Sequence, residues 1–155
     1  MMTSKTIRES RAYQEHIIMP MDVNSDYTLF GGRLMEWIDV VAGIVARRHS
    51  GRQVRTAAVD KLTFLAPAYV DDVVAIEGRL IHTGRSSMIV CVDTYVERHP
   101  NHGEKMLVNE AFLTMVAVDE NGKSVPVPML IAESEEDEKD MALGRARRAM
   151  RETDK

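Results

Sequence analysis

The longest apolar stretch of this chain covers residues 32–49 and follows the period of an α-helix that is hydrophobic on most of its sides. Gly51 follows it as a helix stop. A helix of about five turns with so little polar surface needs a larger element that buries it. This requirement restricts the fold strongly, because the remaining segments must form a surface that wraps around the helix.

Five segments have the character of strands, one before the helix and four after it, at residues 10–19, 55–65, 72–82, 87–97 and 106–118. They end close to proline, glycine or asparagine turn signals, and long strands joined by short turns favour an antiparallel sheet. We therefore predict an α+β fold in which one curved antiparallel sheet of about five strands wraps the helix. The exposed edge of such a sheet predicts dimerisation through edge pairing.

Composition narrows the classes of function. A chain of 155 residues fits one domain, and a net charge of -4 without a basic stripe before residue 140 argues against nucleic acid as a partner. No run reaches the roughly 18 apolar residues that span a bilayer, and the N-terminal sequence lacks an apolar signal region. Cys91 is the single cysteine and lies in a strand-like run, which predicts a buried thiol in a reducing compartment. We expect a cytoplasmic protein without membrane insertion.

The composition changes after Pro128. Residues 133–140 are strongly acidic and residues 145–151 are basic. We interpret residues 129–155 as a charged C-terminal tail that is either a loosely packed, solvated helix or disordered. A partner-binding helix is the alternative.

Asp39 is the most conspicuous candidate for chemistry, because it interrupts an apolar helical run. On a helix Glu36, Asp39 and Gly43 fall within roughly 60° of one another. This stripe could simply face water. It could also lie at a subunit interface that a substrate reaches, where Asp39 would act as a general base or nucleophile.

Three other features each have a structural and a functional interpretation. Asn24 either holds an Asx turn or supplies an amide that orients water or an oxyanion. Gly31 and Gly32 either make a tight turn or offer N–H groups at the positive end of the helix dipole. Residues 83–87 form a hairpin that could also bind phosphate. The five histidines lack metal-ligand spacing, and we predict no metal site.

Taken together, these pieces resemble hotdog-fold acyl-CoA thioesterases over roughly residues 8–128. The resemblance rests on NSDYTLFGGRLMEWID at residues 24–39, VRTAAVD at 54–60, FLAP at 64–67, TGRSSM at 83–88 and VAVD at 116–119. It implies a hotdog domain that hydrolyses acyl-CoA to a carboxylic acid and CoA in lipid metabolism. It also implies no cofactor, since CoA is part of the substrate, and self-assembly as a dimer and commonly as a hexamer, a trimer of dimers.

The resemblance also assigns roles to residues. Asp39 would activate water or attack the thioester carbonyl, and Asn24 of a neighbouring subunit would orient that water or bind the oxyanion. The N–H groups near Gly31 and Gly32 would polarise the carbonyl. The loop Gly84-Arg85-Ser86-Ser87 would line the CoA side, with Arg85 at a phosphate.

Two positions depart from the family pattern. Tyr27 stands where the family usually has glycine, and Asp71 stands where it usually has the glycine of a Gly-Asp pair. Tyrosine reaches a positive φ less readily than glycine, so the loop that carries Asn24 could take another course or place a ring in the substrate channel.

Two other classes of function are considered. One is a non-catalytic acyl-CoA-binding or sensing protein in which Asp39 is merely interfacial. The other is a hotdog dehydratase or hydratase, which would need a histidine beside Asp39. The sequence disfavours this class, because the histidine that follows Asp39 on the helix, His49, is ten residues further on.

Overall fold

The computed structural model describes residues 3–101 and 103–153. Its elements, in chain order, are β1 Ser4–Thr6, α1 Ile7–Ser10, β2 Ala12–Ile17, a 3₁₀ turn Pro20–Asp22, α2 Gly31–Ser50, β3 Gln53–Phe64, β4 Val73–Thr83, β5 Ser87–Glu97, β6 Lys105–Val118, β7 Met129–Ile131 and α3 Glu135–Thr153.

The main sheet confirms the predicted architecture. It has five strands in the order β2-β4-β5-β6-β3, and all neighbouring pairs are antiparallel. The edges of the sheet are β2 and β3. A separate parallel pair, β1 with β7, was not predicted, because three-residue strands are too short to show a period in the sequence.

The long helix α2 lies across this sheet as expected. Its buried residues recur at helical spacing, and Ile38, Val41 and Val45 are almost fully buried. Gly78 on β4 permits the contact, because a Cβ there would stand only 2.7 Å from Cγ1 of Val41. The opposite side of α2 carries exposed apolar groups, including Met35 and Val40. The chain therefore does not bury all sides of this helix by itself.

The C-terminal tail, expected to be a loosely packed solvated helix or disordered, contains the helix α3, which is docked on the other face of the sheet. A Cβ at Gly144 would overlap the carbonyl oxygen of Ile81 on β4, so the two backbones are in close contact. The Arg79 guanidinium lies between Asp93 on β5, at 2.8 Å, and Asp140 on α3, at 3.0 Å. This packing could not be predicted from the charge composition, because the charged side chains themselves make the contact.

Further contacts extend along α3. Arg147 lies 4.4 Å from the ring centre of Phe112, and Arg151 reaches Asp60 at 3.2 Å. The last two residues of the predicted tail, 154 and 155, lie outside the described residues. In the described part of the chain, no helix is long and apolar enough to cross a membrane.

Cys91 is fully buried, as predicted. Burial raises the pKa of its thiol to about 12, so at neutral pH it is a packed apolar group rather than a nucleophile.

Candidate active site

Asn24 holds the turn in the loop that leads into α2. Its Oδ1 accepts hydrogen bonds from the N–H groups of Asp26, at 2.9 Å, and Thr28, at 3.2 Å, and its Nδ2 donates to the Thr28 hydroxyl at 3.1 Å. The Asx turn considered for Asn24 is therefore present. The residue remains exposed, so the outer side of its amide can be reached by a bound molecule.

Tyr27 lies within this turn. It adopts a left-handed backbone with φ 64°, and its N–H donates to the Asn24 carbonyl at 3.0 Å. Asp71, the other departure from the family pattern, has φ 75°. Both residues thus take a conformation that glycine favours, at a cost of about 1 kcal/mol each. The Tyr27 ring is 75% exposed.

The N-terminus of α2 is open. The helix begins at Gly31, one residue earlier than predicted, and its N-cap residue Phe30 makes no side-chain cap. Within the described residues neither the N–H of Gly31 nor that of Gly32 meets an acceptor. A Cβ at Gly32 would lie 2.6 Å from the Phe30 ring, and one at Gly31 would lie 3.7 Å from the ring of Phe64. Among the described residues the two N–H donors therefore have no acceptor, and each glycine lies close to a phenyl ring.

Asp39 lies on the exposed side of α2, halfway along the helix. Its Oδ1 accepts a hydrogen bond from the Thr56 hydroxyl of β3 at 2.6 Å. The two residues line a pocket of about 430 Å³ together with Met35 and Val59, whose side chains are apolar and exposed. Asp39 is thus an ionisable group fixed by one donor at the centre of an apolar surface.

Thr56 was not singled out from the sequence, although it falls inside the quoted segment at residues 54–60. A threonine in a strand is ordinary, so its residue type carries no signal. A shift of strand register follows directly, between Thr56 and Ala58. Only the packing of α2 on β3 shows that its hydroxyl meets a carboxylate.

The candidate residues of one chain lie at two levels of α2, although Gly32 and Asp39 line the same pocket. Asn24, Gly31 and Gly32 lie around the start of α2. Asp39 follows Gly31 by eight residues, which is about 12 Å along the helix axis. A single small reactive group therefore cannot touch the Gly31 N–H and the Asp39 carboxylate of the same chain.

The loop Gly84-Arg85-Ser86-Ser87 forms the expected hairpin between β4 and β5. The N–H of Gly84 donates to the Ser87 carbonyl at 2.8 Å, and the Arg85 carbonyl accepts from the N–H of Val127 at 2.8 Å. This packing places the hairpin beside β7, close to Pro128, whose carbonyl oxygen lies 2.7 Å from Nε2 of His49. The hairpin is therefore near the C-terminal end of α2, and the Arg85 side chain is exposed.

One group of residues has the geometry of a metal site within the described part of the chain, namely Cys91, Asp93 and Glu110. Asp93 is already paired with Arg79 at 2.8 Å, and Glu110 with Lys61 at 3.0 Å. Because both carboxylates have their counter-charges, we assign no metal to them. One of the five histidines, His102, lies outside the described residues.

Comparison with known proteins shows the family to which the chain belongs. Residues 27–100 match the model of the thioesterase superfamily. An uncharacterised acyl-CoA thioester hydrolase of Bacillus subtilis is 42% identical over 130 residues, which are 84% of this chain and 75% of that protein. The cytosolic acyl coenzyme A thioester hydrolase of Rattus norvegicus is 32% identical over 145 residues, 92% of this chain but 38% of that longer protein.

Solved structures are similar along almost the whole chain. An acyl-CoA hydrolase from Bacillus cereus has a TM-score of 0.92 at 36% identity, covering 97% of this chain and 92% of that one. An acyl-CoA hydrolase from Staphylococcus aureus, solved with butyryl coenzyme A and coenzyme A, has a TM-score of 0.90 at 33% identity, covering 97% and 91%.

The Staphylococcus aureus enzyme has also been solved as three variants, in which an asparagine, an aspartate or a threonine is replaced by alanine. In that protein the aspartate follows the asparagine by 15 residues and the threonine follows the aspartate by 17. Asn24, Asp39 and Thr56 have the same two separations.

Proposed function

Because the chain belongs to the acyl-CoA thioester hydrolases of the thioesterase superfamily, we propose that it hydrolyses the thioester bond of acyl-CoA to a free carboxylic acid and CoA. The observation that carries this proposal is the exposed Asp39 carboxylate held by the Thr56 hydroxyl at 2.6 Å. CoA enters and leaves as part of the substrate, so no separate cofactor is proposed.

Asp39 is the proposed catalytic carboxylate. Thr56 occupies Oδ1, which leaves Oδ2 to take a proton from an attacking water or to attack the carbonyl carbon itself. In the first case a C–O bond to water forms, the C–S bond breaks, and the CoA thiolate receives the proton. In the second case Oδ2 bonds to the carbonyl carbon as the C–S bond breaks, and water then cleaves the resulting anhydride to the carboxylic acid and free Asp39, with a proton passing to the thiolate. Thr56 is a positioning residue in this scheme, because it acts on substrate through Asp39.

The thioester carbonyl oxygen becomes negatively charged in this step and needs hydrogen-bond donors. The N–H groups of Gly31 and Gly32, which meet no acceptor in the described part of the chain, stand at the positive end of the α2 dipole and suit a developing oxyanion. Asn24 lies in the loop beside them and is proposed to orient the water or to add a further donor.

We propose that these donors face the Asp39 of a second copy of the chain. Their separation of about 12 Å within one chain supports this, and so does the exposed apolar surface around Asp39. Relatives solved as hexameric thioesterases support a dimer that assembles further, as a trimer of dimers.

The hairpin that includes Arg85 is the proposed contact for the phosphates of CoA. It offers backbone donors, two serine hydroxyls and an exposed guanidinium, which together suit an anion. Residues 8–128 are proposed as the catalytic domain and residues 129–155 as an accessory tail. A cytoplasmic location is proposed as well, supported by the reduced Cys91 and the cytosolic rat relative.

Release of free CoA thiol from acyl-CoA tests the activity. We expect the parent protein to hydrolyse acyl-CoA and both Asp39→Asn and Asn24→Ala to lose most of the rate. Parent-like rates in both variants would refute the assignment of the site. Binding of acyl-CoA without hydrolysis by the parent would support the alternative, a binding or sensing protein.

A dehydratase or hydratase would need a histidine beside Asp39. The histidine that follows on α2, His49, is fully buried at the far end of the helix against the Pro128 carbonyl. It is therefore not available to a substrate at Asp39.

A further inference from the structure

Asp72 is a buried carboxylate outside the site described above. It lies directly before β4 and is 3% exposed. Its Oδ2 accepts hydrogen bonds from the Tyr69 N–H at 2.9 Å and from Nη1 of Arg98 at 2.8 Å, and its Oδ1 accepts one from the His99 N–H at 3.0 Å. A buried charge is tolerated where a counter-charge and hydrogen bonds satisfy it. These donors therefore fix Asp72 in one position.

Arg98, directly after β5, binds both ends of the segment at residues 67–72. While Nη1 reaches Asp72, Nη2 donates to the Pro67 carbonyl oxygen at 2.6 Å. The guanidinium carbon stands 5.1 Å from the centre of the Tyr69 ring between them. The planar guanidinium offers several donors in a rigid fork, so it can make both hydrogen bonds at once. One side chain thereby holds the two ends of the segment together.

This segment supports the loop that carries Asn24. The Ala68 carbonyl accepts a hydrogen bond from the Leu29 N–H at 2.8 Å, and Thr28 pairs with Tyr69 in an isolated antiparallel bridge. The N–H of Thr28 in turn donates to Oδ1 of Asn24 at 3.2 Å. A displacement of the segment would therefore reach the Asn24 amide through Thr28 and the start of α2 through Leu29.

Building on the proposed function, we propose that Arg98 is a positioning residue for thioester hydrolysis. It acts on the substrate through residues 67–72, which set the place of the Asn24 amide. A misplacement of about 1 Å that originates far from the chemistry can lower a rate about a hundredfold. Because Asn24 is proposed to serve the Asp39 of a second copy, Arg98 also serves the site on that copy.

Arg98→Lys tests this role in the assembled protein. The lysine keeps the counter-charge of Asp72, but its ammonium is a point charge that does not reproduce the fork between Asp72 and Pro67. We expect kcat for acyl-CoA hydrolysis to fall about tenfold or more. KM should change little, because the hairpin proposed to bind CoA lies near the other end of α2. A parent-like kcat in this variant would overturn the positioning role.

Arg79→Lys is the matched control. Arg79 likewise joins two partners, Asp93 at 2.8 Å and Asp140 at 3.0 Å, on the face of the sheet that α3 covers. Both substitutions should lower the melting temperature, and thermal unfolding shows that each variant is folded at the temperature of the assay. Arg79→Lys should keep the kcat of the parent. Equal losses of kcat in the two variants would overturn the proposal, since they would point to general loosening of the fold.

Mixed assemblies provide a readout that a loss of stability alone would not change. When Arg98→Lys is co-refolded with Asp39→Asn, each mixed dimer joins the intact Asp39 of one chain to the intact Asn24 loop of the other. This mixture should reach about a quarter of the parent rate if subunits exchange at random.

Co-refolding Arg98→Lys with Asn24→Ala produces no intact site, so that mixture should remain severalfold slower. Equal rates in the two mixtures would overturn the action of Arg98 through the Asn24 loop. Absence of hydrolysis by the parent would instead contradict the proposed function.

Discussion

At the scale of single residues, the hydrogen bond from Thr56 to Asp39 is the feature with the most direct chemical consequence. A hydrogen bond to a charged group contributes about 1.5–3 kcal/mol, so its loss lowers the rate about tenfold to a hundredfold if the carboxylate must be held in place. We expect Thr56→Val, which keeps the shape of the side chain, to lower kcat by this factor and to change KM little. Steady-state hydrolysis of acyl-CoA measures both constants.

Thr56→Ser is the matched control for that substitution, since it keeps the hydroxyl and removes only a methyl group. It should recover most of the activity. If the valine and serine variants have equal kcat, Thr56 does not act through its hydroxyl.

Tyr27 gives a second expectation at this scale, because its φ of 64° is costly for any side chain. Tyr27→Gly should raise the free energy of unfolding by about 1 kcal/mol relative to Tyr27→Ala, which keeps the backbone cost while removing the ring. Urea unfolding of the two variants provides the comparison. Equal stability would mean that the backbone at residue 27 carries no strain.

At the scale of elements, the docking of α3 can be tested by whether one substitution raises or lowers the free energy of unfolding. In an isolated helix, Gly144→Ala would stabilise by about 1 kcal/mol. In the docked helix the added Cβ would overlap the Ile81 carbonyl oxygen, and we expect a net loss of stability. Urea unfolding followed by far-UV circular dichroism measures the difference.

Ala146→Gly on the exposed side of α3 serves as the reference for helix propensity alone, and should cost about 1 kcal/mol. A gain of stability in Gly144→Ala would mean that α3 does not lie on β4 as described.

At the scale of the whole molecule, the proposed division of the site between two copies of the chain gives a quantitative expectation. Asp39→Asn and Asn24→Ala are each expected to be inactive as homogeneous assemblies. A mixed dimer has one damaged site that lacks both groups and one intact site. If subunits exchange at random, co-refolding equal amounts should restore about a quarter of the parent activity.

Each variant refolded alone is the control for this mixture, and light scattering gives the mass of the assembly. An inactive mixture of well-assembled chains would contradict the shared site. A stable mass of 17.5 kDa in the active protein would contradict it independently.

Much of the fold could be predicted from the sequence because periodicity reports which side of an element is apolar. The strand predicted at residues 87–97 has the observed bounds of β5, and the helix predicted at 32–49 differs from α2 by one residue at each end. Short elements such as β1 escaped prediction because three residues cannot show a period. A helix was one of the two forms expected for the C-terminal tail, but its contacts with the sheet could not be predicted, because they use charged side chains and a glycine.

The sequence by itself determined the helix, the strands, the turn at Asn24, the hairpin at Gly84 and the family resemblance, because each depends on residues near one another in the chain. Only the tertiary structure decided that Thr56 meets Asp39 and that Phe64 stands against Gly31. These are distances between elements. They are set by how side chains such as Val41 pack against Gly78, and no local pattern encodes them.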